Sequence, residues 1–122
     1  MDMSKESNEV VLCVSNAYQK KFYLNENFNG LPQSIRDELK IMCVIYTEDI
    51  GGVLELVFDE AGNLELRTSC EEGDLCYDEN GSVLKIKQLR NEKRELLEAL
   101  EMYYKVLYLG EGLEALDEEE DK

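Results

Sequence analysis

The chain has 122 residues, with 28 acidic side chains against 13 basic ones, a formal net charge of −15 and no histidine. A charge of that size repels phosphate-rich partners, which argues against direct binding of nucleic acid or of an anionic membrane. The missing histidine removes the residue most used as general base, proton shuttle and metal ligand near neutral pH. The expected mode of action is binding, with no enzymatic activity, no metal and no cofactor.

The length suits one domain with a respectable core, and 43% hydrophobic residues are enough to fill it. Residues 1–9 are polar and acidic, without the positive start and apolar run of a secretory signal. The longest apolar run is Ile41–Ile45, or six residues if Tyr46 is counted, far short of the roughly 20 that span a bilayer. A cytoplasmic protein with reduced thiols is therefore expected. The expected organisation is a flexible leader over 1–8, a single α+β domain over 9–110 and an acidic tail over 111–122.

In chain order, Val10-Val11-Leu12-Cys13-Val14 is a β-branched run that reads as a buried strand. Lys20–Leu24 reads as a second strand, with Phe22 and Leu24 on one face and Lys21 and Tyr23 on the other. A hairpin through Ser15–Gln19 joins the two. After the turn-rich stretch 25–30, Leu31-Pro32 opens a helix, since proline is preorganised for the first turn. Ile35, Leu39, Met42, Cys43, Tyr46 and Ile50 mark one helical face, and Gly51-Gly52 stops it.

Val53–Phe58 and Leu64–Thr68 form the clearest hairpin. Pairing Phe58 with Leu64 and Leu56 with Leu66 puts the apolar residues on one side, and sets Glu55 opposite Arg67 as a cross-strand ion pair. Residues 69–81 read as a long acidic loop. A single helix of about 42 Å is expected from Ser82 to Leu109, with Leu84, Leu89, Leu96, Leu97, Leu100, Tyr104 and Leu107 as its core stripe. Its first residues, 82–87, also alternate well enough for a short strand against 74–77.

The charge is unevenly spread. Residues 71–80 hold five acids and no base, and 111–122 hold seven acids and one lysine. Residues 81–110 run the other way, and Lys85, Lys87, Arg90, Lys93 and Arg94 form a basic patch in the first half of the long helix. Cations are disfavoured at that end by roughly 0.3–1 kcal/mol each. The neighbouring acidic loop and Glu98 are the expected counterweight, with an anionic partner as the alternative.

No catalytic or metal motif stands out. Cys70 and Cys76 lack zinc-knuckle spacing, and Glu71, Glu72, Asp74 and Asp78 around them disfavour a reactive thiolate. Cys13 and Cys43 lie in apolar runs and read as small buried hydrophobes. Asp78-Glu79-Asn80-Gly81 echoes part of a calcium loop but lacks both anchoring ends. The stretch Met102–Leu109 has Lys105 as its only charged residue, so apolar groups point almost all round the helix. Met102, Tyr103, Tyr104, Leu107 and Tyr108 are the candidate interface residues, to be covered by residues 111–116 or by a second subunit.

The run Leu31-Pro-Gln-Ser-Ile-Arg-Asp-Glu-Leu-Lys, then Thr47-Glu-Asp-Ile-Gly-Gly, Val57-Phe-Asp-Glu-Ala-Gly-Asn-Leu, Glu101-Met-Tyr-Tyr and Leu109-Gly-Glu resembles a family of short acidic proteins of unknown function. Such proteins occur in clostridia-type Gram-positive bacteria. The resemblance spans residues 10–115 and implies a bacterial cytoplasmic origin, but no activity and no catalytic residue.

The fold expected is α+β in ββαββα order, an antiparallel sheet with two helices packed on one face and a long C-terminal helix. The function expected is a non-enzymatic protein–protein interaction or regulatory module, a homodimer. The alternative is an acidic decoy that mimics nucleic acid and occupies a basic partner protein.

Overall fold

A computed structural model describes residues 8–110. The expected leader and tail lie almost wholly outside the described residues. Strands β1 (Val10–Asn16), β2 (Lys21–Leu24), β3 (Val53–Phe58) and β4 (Leu64–Ser69) form one antiparallel sheet in the order β2-β1-β3-β4. Helix α1 (Gln33–Ile50) crosses between β2 and β3, and α2 (Glu79–Glu92) and α3 (Arg94–Tyr108) follow β4. The class is α+β, but the order is ββαββαα, with a single 3-10 turn at Glu26–Phe28 before α1.

The sheet is two hairpins joined through β1 and β3. Phe58 pairs with Leu64, Leu56 with Leu66 and Glu55 with Arg67, the register that the alternating pattern requires. The expected Glu55–Arg67 ion pair does not form. Arg67 reaches diagonally instead, with Nη2 2.8 Å from both Glu9 and Glu65. That bridge passes over the row in which Val57 pairs with Val11 and Glu65, and Val57 is only 2% exposed on a face that no described helix covers. The hydrogen-bonded Arg67 guanidinium holds the Glu9 carboxyl below its ordinary pKa.

Between Val11 and Cys13 the β1–β3 register shifts by one residue. Leu12 is the extra residue of this bulge, and both Leu12 and Cys13 end up fully buried in the core. Strict alternation would have put one of them outside. The core side of the sheet carries Cys13, Leu54, Leu56, Phe58 and Leu64 against Leu39, Met42, Cys43, Tyr46 and Ile50 of α1. The helix therefore buries the face its spacing marked. Pro32 sits at its N-cap position, where its carbonyl accepts the Ile35 and Arg36 N–H groups.

The expected single long helix is two helices broken at Lys93, whose backbone (φ −107°, ψ 24°) leaves the helical region. A straight rod of about 42 Å would overhang strands that span about 20 Å. The break lets α2 lie against α1 and α3 lie against β4. It falls in Arg90–Glu95, where no apolar side chain holds one continuous stripe to the sheet. Leu84 and Leu107, expected in the core, are 67% and 59% exposed, while Leu89, Leu96, Leu97, Leu100 and Tyr104 are buried.

The acidic loop is shorter than expected, because α2 starts at Glu79. Asp78 caps it, its Oδ1 accepting the Gly81 N–H at 2.8 Å. Residues 82–87 are helix, not strand. The loop is pinned at two points. Tyr18 of the β1–β2 turn donates to Asp74 and accepts from the Glu71 N–H, and the Tyr77 and Tyr46 hydroxyls meet on the buried Ser82 hydroxyl. Burial pushes the Tyr46 hydroxyl up to about 12.

Candidate interaction surfaces

The aromatic end of α3 faces inward. Phe58 and Tyr104 stack nearly parallel at 4.2 Å, Tyr104 and Tyr108 follow at 4.9 Å, and Phe28 contacts Phe58, Tyr103, Tyr104 and Tyr108. Loss of solvent raises the pKa of both Tyr104 and Tyr108. The Tyr108 hydroxyl donates to the Asn27 carbonyl at 2.9 Å, so this stack ties the 3-10 turn to α3. Tyr104 is 4% exposed and Tyr103 packs against the core. Among the five expected interface residues, Tyr103 and Tyr104 thus serve the core, and Tyr108 is half-exposed with its ring in the stack.

Met102 and Leu107 are exposed at 62% and 59%. Five residues apart, they diverge by about 140° around the helix and do not make one patch. The apolar ring around Met102–Leu109 is covered from within only in part: Tyr104 is buried and the α3 C-terminus lies on the β3–β4 turn, where a Cβ on Gly62 would stand 2.8 Å from Lys105 and 3.1 Å from Leu109, while Met102, Leu107, Tyr108 and Leu109 stay exposed. Glu101 completes the contact, accepting the N–H of Leu64 at 2.7 Å.

The basic patch is split in two: Lys85 and Lys93 turn toward α1, while Lys87, Arg90 and Arg94 stay together across the helix break. Arg90 lies in the last turn of α2 and Lys93 at its C-cap, positions where the helix dipole favours a cation. Its counter-charges come from α1 rather than from the acidic loop or Glu98. Lys85 is 3.5 Å from Asp49, and Lys93 is 3.1 Å from Glu38. Arg90 reaches the Leu64 carbonyl and Arg94 the Asn91 side chain. Lys87 lines a shallow depression with Arg90, Arg94 and Glu98.

The α1–α2 seam opens as a groove of about 550 Å³, a feature that neither helix announces alone. Met42 and Leu89 form its floor. Ile41 and Ile45 stand over it, 58% and 52% exposed and one turn apart on α1. Asp37, Glu38 and Glu92 share its rim with Lys85 and Lys93. Ile41 and Ile45 sit in the same apolar run as the buried residues of α1, and only their phase, about 100° from Leu39, Cys43 and Tyr46 at the nearest, could have set them apart.

The cysteines divide as their surroundings suggest. Cys13 and Cys43 are fully buried with sulfurs 3.9 Å apart, and their contact raises the Cys13 pKa well above the ordinary thiol value. Cys70 and Cys76 are exposed and free. Among the described residues, no cluster of three or more Cys, Asp and Glu is arranged to hold a metal ion. No described helix is long and apolar enough to cross a membrane.

A family of unknown function, DUF6145, matches residues 9–112, which include all seven strands and helices described above. The chain belongs to the DUF6145 family. No curated protein and no solved structure matches it. For this DUF6145 member the assignment fixes kinship without an activity.

Proposed function

We propose that the protein is a non-enzymatic association module that pairs with a second copy through the α1–α2 groove. The observation that carries this reading is the pairing of Ile41 and Ile45, more than half exposed on one helical face above an apolar floor. Two copies carrying −15 each repel one another except where a surface is close to neutral. The rim of this groove brings three acids and two lysines together, so a two-fold related copy can set base against acid on both sides. A reducing cytoplasm suits the four free cysteines of such a module.

The acidic decoy has less behind it. Its support is the net charge alone, most of which lies in the two short segments 71–80 and 111–122. Light scattering coupled to size exclusion tests the dimer. At about 100 µM the wild type should elute as a dimer, and Ile41→Glu with Ile45→Glu as a folded monomer. A wild-type monomer, or a dimer indifferent to both substitutions, would overturn the reading.

A further inference from the structure

The opposite flank of α1 forms a second concavity, and it is basic. A cleft of about 530 Å³ opens between α1 and the β1–β2 hairpin, lined by Ser15, Phe22, Val44 and Thr47 inside and by Lys20, Lys21 and Lys40 at its edge, with Glu48 as its one acid. The size suits a small organic molecule. In a chain with more than two acids for every base, Lys20 and Lys40 at one opening are a local reversal of the field, while Lys21 alternates with Phe22 and projects from the other face of β2. Among the described residues, none of the three is within ion-pair distance of a carboxylate.

The interior defines the ligand further. Phe22 and Val44 give an apolar wall. At the back, the hydroxyls of Ser15 and Thr47 lie 2.8 Å apart, both residues under 5% exposed. Thr47 also has the helix carbonyls of Cys43 and Val44 at 3.3 and 3.2 Å, so its proton is spent within α1 and Ser15 donates to it. The lone pairs of Ser15 are then left to accept from a ligand. The edge adds a separate sign. Lys20 is the one described residue other than glycine with positive φ, at 56°. It occupies the last position of the four-residue turn, where glycine or asparagine avoids the strain. A lysine is held there at a cost to stability.

We infer that this cleft binds a small aromatic anion, its acid group between Lys20 and Lys40, its ring against Phe22 and Val44, and an O–H or N–H directed at Ser15. The acid is a carboxylate or a phosphate ester, since an ammonium group pairs with either. The inference is independent of the dimer and uses none of the groove residues.

The test follows backbone amide resonances of the full chain during titration with para-hydroxybenzoate, phenyl phosphate and inorganic phosphate. Saturable shifts confined to residues 15–22 and 40–48 are expected with an aromatic anion, and the tighter of the two tells carboxylate from phosphate. Inorganic phosphate should bind at least about tenfold more weakly, lacking the apolar contact. Lys40→Glu should weaken binding about tenfold or more. Lys20→Gly separates binding from folding: its melting temperature should rise by a few degrees while affinity falls. Shifts that do not saturate at millimolar ligand, inorganic phosphate binding as tightly as the aromatic anions, or full affinity in Lys40→Glu would each overturn the site.

Discussion

At the scale of single residues, the positions under most constraint are the glycines that bring backbone segments together. Gly52 ends the α1–β3 connection with φ +72°, and a Cβ there would lie 2.4 Å from the Ser69 carbonyl oxygen and 2.7 Å from the Tyr77 ring. The first contact is backbone to backbone across the sheet, so no side-chain rotation relieves it. Gly73 has φ +83° in the acidic loop and nothing within 4 Å of its would-be Cβ. Alanine at either site incurs the left-handed penalty of about 1–2 kcal/mol. At Gly52 the clash is added, and with it the displacement of Tyr77 from Ser82. Gly52→Ala should therefore cost at least about 3 kcal/mol by urea unfolding and Gly73→Ala about 1 kcal/mol. Equal losses would show that the close approach at Gly52 matters little.

At the scale of elements, the sheet and α1 were legible in the sequence because their side-chain periods are unambiguous. One register fixed the apolar face of the β3–β4 hairpin and six apolar positions fixed the buried face of α1, whereas the β1 bulge at Leu12 and the failure of Glu55 to pair with Arg67 could not be read from period alone. The C-terminal third was not legible, for two physical reasons. A helical period cannot report a bend that keeps the apolar stripe nearly in phase, so Leu89, Leu96 and Leu100 fit one straight helix as well as two. The start of α2 was hidden by its low apolar content, since Ser82 and Leu89 are its only buried residues. The interaction surfaces were less legible still. Tyrosines that look amphipathic in a helix are indistinguishable from interface residues until Phe28 and Phe58 are placed beside them. The Lys20–Lys40 cleft joins residues of β1, β2, their turn and α1 and has no local signature.

A helix with so little buried surface depends on its cap. Asp78 accepts the Gly81 N–H and stands where the dipole favours an acid. Asp78→Ala should cost about 1 kcal/mol, and Asp78→Asn, which keeps the acceptor, a few tenths. The more telling measurement is amide exchange. Protection should fall through Glu79–Glu92 and stay unchanged in α1, because α2 is a thin layer over it. A loss spread evenly over the molecule would mean that α2 has no separate opening and that its cap is merely one contribution among many.

At the scale of the whole molecule, two electrostatic effects oppose one another. The chain carries −15, and the segments 71–80 and 111–122 hold most of it. Against that repulsion stand the ion pairs of Arg67, Lys85 and Lys93, whose side chains are 27–59% exposed and screened by solvent, so that each contributes little. Salt weakens both, but not equally. Contact pairs near 3 Å lie well inside the Debye length at any ordinary ionic strength, whereas repulsion between segments acts over tens of ångströms. Raising sodium chloride from about 0.01 to about 0.15 M shortens that length from about 30 to about 8 Å, which screens the repulsion first. The melting temperature at neutral pH should therefore rise by several degrees over that range and then level off. The same titration on a chain with Glu71, Glu72, Asp74 and Asp78 changed to their amides should start higher and rise less, although Asp74 and Asp78 each lose a charged acceptor in the exchange. A melting temperature that falls with salt would mean that the few pairs around Arg67, Lys85 and Lys93 outweigh the acidic excess, and that this fold is held by its sparse cations rather than strained by its many anions.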